Sequence, residues 1–135
     1  MQVVWKAAAM ASKEEVVAKG IAVGRMLYGV GCMVAPRVMM GPAGKRAEGQ
    51  MIWMARAFGV RDFVLGTGTL VALGQDGDAG LRWLEVGAAA DTLDVANAVI
   101  FRNELDALGI TATLSLAVPA SIGGWWAAAK LRAAR

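Results

Sequence analysis

The 135-residue chain has no histidine and one cysteine, Cys32. The missing histidine removes His-based metal sites, a Ser/His/Asp triad and an imidazole proton shuttle. A lone cysteine cannot build an intramolecular disulfide framework, and Cys32, set among apolar neighbours, reads as a buried, inert thiol. The sequence also lacks a glycine-rich phosphate loop, a metal-ligand box and a nucleophile elbow. Polar residues are scarce: Ala, Val, Ile, Leu, Met, Phe, Trp, Tyr and Cys make up 57%, and 17 glycines come on top. Ordinary soluble domains reach about 45–50% apolar with glycine already counted in. Too little polar surface is left to face water. The formal charge is +3, but Lys and Arg are spread singly, without the patch or stripe that nucleic acid requires.

What is present is a series of long apolar runs. Ser12 followed by Glu15 has capping-box spacing, in which each side chain satisfies a free backbone N–H of the other. A helix is therefore predicted to start there and to run to Pro36, which cannot continue it. Read along the chain, spans fall at about 16–35, 51–73, 81–100 and 108–129. Some 20 helical residues are about 30 Å long, enough to cross the hydrocarbon layer. The segment from Pro36 to Gln50, with two prolines and several charges, is a loop with a short helical turn, and GQDGDAG is a tight turn. The fold class expected is all-α: one transmembrane domain over 1–135, an up-down-up-down bundle of four membrane helices. The N-terminal stretch MQVVWKAAAMA is too short an apolar run for a cleaved signal.

Four spans put both termini and the second turn on one side, with Lys6, Lys13, Lys19, Arg82, Lys130, Arg132 and Arg135; the other side has Arg37, Lys45, Arg46 and Arg102. Positive residues stay in the cytoplasm, so a multi-pass cell-membrane protein with both termini inside is predicted. Trp53, Trp83, Trp125 and Trp126 fall near span ends, where indole rings favour the headgroup layer.

Within the spans lie Lys19, Arg25, Arg56, Arg61, Asp62, Glu85, Asp91 and Asp94. Each costs about 2.5–3.5 kcal/mol at a helix centre unless partnered. Counting depth at about 1.5 Å per residue sorts them into layers: Lys19 with Glu85; Arg25, Arg61, Asp62 and Asp91 at mid-depth; Arg56 with Asp94 and Asn97. Each layer sums to zero. Asp91 and Asp94, three residues apart, share a helix side and repel when both are ionised, so one is protonated or a guanidinium bridges them. Arg61 and Asp62 point about 100° apart and are expected to look to other helices. The set serves either to hold a bundle in register or to line a midplane pocket.

Smaller features bear on packing. Gly20-x-x-x-Gly24, and the row Ala55, Gly59, Asp62 and Gly66, provide small faces for helix approach. Pro119 frees a carbonyl and is expected to kink the fourth span beside Thr113, Ser115 and Ser121. Met33, Met39, Met40, Met51 and Met54 cluster near one loop without the spaced ligands of a Cu(I) site, so neither metal nor cofactor is expected.

The stretch Ala55 to Gly66, ARAFGVRDFVLG, with Ala90-Asp91-Thr92-Leu93-Asp94, resembles a pattern in small bacterial four-helix membrane proteins of unknown function. The resemblance implies the fold and adds no activity. Three functions fit the residues. The chain is an accessory or binding subunit, packed against other membrane subunits, a second copy or an apolar small molecule, with Arg25, Arg56, Asn97 and Tyr28 as binding residues. Alternatively it is a metal-independent enzyme acting on an isoprenoid, sterol or lipid epoxide. Asp91 and Asp94 are then acid and base, with Arg61 and Asp62 completing the catalytic set. Or it carries protons or a small solute along Asp62, Asp91 and Asp94.

Overall fold

The computed structural model describes residues 12–75 and 77–134. Lys6, Arg135 and the N-terminal stretch weighed as a signal lie outside these residues. The described chain is all-helical, with no strand among the described residues. Helix α1 spans Lys13–Val34, the short α2 Pro36–Met39, α3 Gly49–Leu73, α4 Ala79–Ile100 and α5 Ala107–Ala133, with short 3₁₀ helices at Gly41–Arg46 and Arg102–Glu104.

Local chemistry sets these boundaries. Ser12 Oγ accepts from Glu15 N at 3.3 Å, so the expected cap forms by half. The Glu15 carboxylate turns instead to Lys19 Nζ, 2.7 Å away, one turn along the same helix. Asp106 caps α5 by accepting from Gly109 N at 2.7 Å. In the α2–α3 connection, Arg37 donates to the carbonyls of Gly44 at 3.1 Å and Ala47 at 2.8 Å. A Cβ on Gly44 would stand 1.9 Å from the Arg37 carbonyl oxygen, so only glycine allows this loop to close. Helix α5 runs without a break through Pro119.

The long helices are neighbours in the order α1, α3, α4, α5 and back to α1, with α1 on α3 and α4 on α5 the most extensive contacts. Small residues zip these two pairs. A Cβ on Gly29 would lie 2.5 Å from the Gly59 carbonyl oxygen, one on Gly66 2.5 Å from that of Ala22, and one on Gly124 2.9 Å from Ala88 Cβ. The Gly20 and Gly24 pair expected to serve this purpose does not: nothing lies within 4 Å of a Cβ at either. Trp83 packs on Gly68 across the α3–α4 seam.

The interior is made of small side chains and the exterior of large apolar ones. Ala18, Leu81, Leu84, Ala127 and Ala128 form the buried cluster, and no large side chain among the described residues is fully buried. Leu27, Trp53, Leu93 and Ile122 are 65–69% exposed. Helices α1 and α5 are both long and apolar enough to cross a membrane. Helices α3 and α4 have the length but are interrupted by Arg56, Arg61 and Asp62, and by Glu85, Asp91 and Asp94. The four-span expectation is thus met in length by four helices and in apolarity by two.

Candidate functional site

Arg25 lies on the buried stripe of α1 with Ala18, Ala22, Gly29 and Cys32, at the helical spacing that turns one face inward. Its small neighbours leave room for a long side chain to cross the bundle. Asp62 occupies the matching stripe of α3 with Gly59, Gly66 and Thr69, and Asp91 that of α4 with Leu84, Gly87 and Ala88. All three are buried, at 8%, 8% and 4% exposure.

Arg25 Nη1 donates to Asp62 Oδ1 at 3.1 Å, and Nη2 donates to the Gly87 carbonyl at 2.9 Å. Nη2 also donates to Asp91 Oδ2. Arg61 grips Asp94 with both terminal nitrogens, Nη1 to Oδ1 at 3.0 Å and Nη2 to Oδ2 at 2.7 Å, the two-pronged geometry that a planar guanidinium favours. Arg61 Nη2 reaches Asp62 Oδ1 at 3.3 Å, and the guanidinium carbon lies 5.1 Å from the centre of the Phe58 ring. The result is one continuous chain, Asp91–Arg25–Asp62–Arg61–Asp94, linking α1, α3 and α4. Buried charges without water need such partners.

Several expected pairings are corrected. Lys19 does not meet Glu85: it bonds Glu15, and Glu85 bonds Arg132 of α5. Arg56 does not meet Asp94 or Asn97; it is exposed and its Nε donates to the Met33 carbonyl at 3.3 Å. No single guanidinium bridges Asp91 and Asp94, because each carboxylate has its own arginine. Arg61 and Asp62, expected to look apart, do touch. The mid-depth set also takes in Asp94, so three carboxylates face two guanidiniums. By formal charge the layer has one carboxylate more than it has guanidiniums.

Beside this chain is a partly open cavity of about 660 Å³, within the range of roughly 300–1,000 Å³ usual for small-molecule sites. Arg25, Arg61, Asp62, Asp91 and Asp94 form its charged wall, with Tyr28 and Asn97 alongside. The opposite wall comes from α5: Leu116, Ala117, Pro119 and Ala120, with the hydroxyl residues Thr113 and Ser115. Phe58 and Ile21 add apolar surface. Of the candidate residues named from sequence, Arg25, Tyr28, Arg61, Asp62, Asp91, Asp94 and Asn97 are brought together here and Arg56 is not.

Ser121 is also outside the cavity. Its Oγ lies 2.7 Å from Thr92 Oγ1, which accepts from Trp125 Nε1 at 3.0 Å, a polar clasp between α4 and α5. Phe58, under Arg61, and the Gly87 carbonyl are the contributions that sequence reasoning missed. Phe58 stands three residues before Arg61, a spacing that puts two side chains on one helix face and could have flagged it.

Chemically, the wall can accept hydrogen bonds, hold a polar group against fixed charges and orient it relative to an apolar body. No protein-family model, curated protein or solved structure matches the chain, so the resemblance rests on the stretches at Ala55 to Gly66 and Ala90 to Asp94 alone.

Proposed function

We propose that the chain is a four-span membrane protein, with both termini cytoplasmic, that binds a small molecule of largely apolar body in the cavity between its helices. The observation that carries this reading is the pairing of a ligand-sized space with one charged wall and one apolar wall. The Arg–Asp chain holds three helices in register and offers the polar end of the ligand its partners.

Support for the membrane setting comes from the distribution of side chains. Leu27 on α1, Val64 on α3, Leu93 on α4 and Ile122 on α5 are all exposed, a surface that suits hydrocarbon and not water. The ionisable residues that interrupt α3 are turned inward and paired, save Arg56. Among the described residues, Lys13, Lys19, Arg82, Lys130 and Arg132 stand on the termini side against Arg37, Lys45, Arg46 and Arg102 on the other. Acid–base catalysis by Asp91 and Asp94 is less well supported, since both accept hydrogen bonds from guanidiniums as ionised carboxylates do.

Gly24 provides the test. It lines the cavity, and nothing lies within 4 Å of where its Cβ would be, so Gly24→Trp is the substitution chosen to occupy the space. Small molecules carried through purification from membranes are extracted and identified by mass spectrometry. A compound present with the wild type and lost with Gly24→Trp is expected; identical extracts from two well-folded proteins would sink the proposal. Labelling single cysteines in a Cys32→Ala background with a membrane-impermeant maleimide checks the spans: from outside, position 45 reacts and position 75 is protected.

A further inference from the structure

We infer that the ligand of this cavity bears a positive charge: an amphiphilic cation, a protonated or quaternary amine on an apolar body. This deepens the function proposed above and rests on it. The inference comes from counting the charged groups that line the cavity, each in its ionised form. The cavity's ionised wall consists of Asp62, Asp91 and Asp94 against Arg25 and Arg61. Three carboxylates and two guanidiniums leave one negative charge. Arg25 and Arg61 are the cations among the lining residues; Arg56 bonds the Met33 carbonyl and Lys19 bonds Glu15. In surroundings without water, an uncompensated charge is costly, and a cation that neutralises it gains what the protein lacks.

The arrangement also says where the charged group sits. Asp62 and Asp91 are the deep carboxylates, with side chains 11% and 6% exposed, whereas that of Asp94 is 26% exposed. The accessible end of the chain is therefore the Arg61–Asp94 pair, with Asn97 and the Phe58 ring on the same cavity. The partly exposed Asp94 carboxylate is the one that a ligand cation in the cavity can approach. The apolar body then lies along Leu116, Ala117 and Ala120 of α5. An anionic amphiphile would meet a wall already one charge too negative.

The test compares head groups on one chain. Tritiated decyltrimethylammonium, decanol, decanoate and decylphosphocholine are bound to the protein in uncharged maltoside micelles, by scintillation proximity with protein-free micelles subtracted. Decyltrimethylammonium is expected to bind about tenfold more tightly than decanol, the effect of one partly screened ion pair, and decanoate most weakly. If decylphosphocholine matches decyltrimethylammonium, the source of the cation is a choline lipid headgroup; if it falls to the level of decanol, the source is a free amphiphilic amine. Either result supports the inference. Decanol binding as tightly as decyltrimethylammonium would overturn it, a proton then supplying the missing charge, and would leave the cavity's role as a binding site intact. Absence of saturable binding by all four, or binding that survives Gly24→Trp, would overturn the proposed function itself. Asp94→Asn makes the wall neutral and should lower decyltrimethylammonium affinity about tenfold, to that of decanol. Asp94→Glu should restore it, a rescue that a purely structural role would not produce.

Discussion

At the end of the bundle where α1 begins, α1, α4 and α5 close over Ala18, Leu84, Ala127 and Ala128; from Arg25 onward the helices enclose a cavity instead. The difference is not one of hydrophobicity, since both ends are made largely of apolar residues. At the closed end, alanine and glycine let backbones approach and leucine fills what remains. At the other, the long side chain of Arg25 reaches through the bundle to Asp91 of α4, and a guanidinium with its carboxylates cannot be packed as densely as Ala88 on Gly124. Space beside the ion pairs follows from using them as the struts. Charge ties α1, α3 and α4 together at the open end, where α1 and α3 are also zipped at Gly29 and Gly59, and close packing alone holds the closed end.

The largest effect is expected where that division of labour is removed altogether. Arg25→Leu takes away the partner of two buried carboxylates, Asp62 and Asp91. Leaving a buried charge without its partner typically costs about 3–5 kcal/mol, so the variant should unfold at much lower denaturant than the wild type, or fail to accumulate. An Arg25→Leu protein as stable as the wild type would show that the ion pairs are not the struts. Next comes the zipped seam. A side chain at Gly29 would collide with the Gly59 carbonyl and with the backbone N of Phe63, 2.7 Å from its Cβ. Gly29→Leu should therefore cost about 1–3 kcal/mol or more of stability, as overpacking does. Gly24→Leu, on the same helix and facing the cavity, should cost nothing and gain a few tenths through helix propensity. Unfolding midpoints of the two variants side by side measure how far the zipped α1–α3 seam differs from the cavity face of the same helix.

How much of this was readable in the sequence follows the same line. Helix positions were legible within a few residues, because apolar runs, the Ser12 cap, Pro36 and the Gly-rich turn after Leu73 act locally. Counting rise per residue also grouped Arg25, Arg61, Asp62 and Asp91, which do meet, but it set Asp94 a layer away from the Arg61 that it pairs with. Pairing was not legible, because depth ignores direction around the helix. Viewed down α3, Arg61 lies about 100° to one side of Asp62 and Arg56 about 120° to the other. Arg61 accordingly meets α4 at Asp94, and Arg56 meets α1 at the Met33 carbonyl. Depth alone matched Arg56 to Asp94; direction would have exchanged the two arginines. The reach of arginine was the other hidden term, since its long stem lets neighbours such as Arg61 and Asp62 touch across an angle that shorter side chains could not span. Gly20 and Gly24 misled for a related reason: a small-residue spacing states that a close approach is possible, and only the partner's position decides whether it is made.

The smallest expected effect concerns the seam between these regions, where α4 and α5 meet through Thr92, Ser121 and Trp125. Thr92 Oγ1 also donates to the Ala88 carbonyl at 2.8 Å, so one hydroxyl serves its own helix and two groups of the next. Thr92→Val keeps the shape and removes the hydroxyl. In a membrane such an interhelical hydrogen bond is worth about 0.6 kcal/mol on average, because the separated helices find other partners. The expected loss is therefore under about 1 kcal/mol, with ligand binding unchanged, since Thr92 does not line the cavity. A loss as large as that of Gly29→Leu would mean that the α4–α5 pair is held by this clasp and not by Ala88 against Gly124, and the contrast between a polar open end and a zipped closed end would have to be redrawn at this seam.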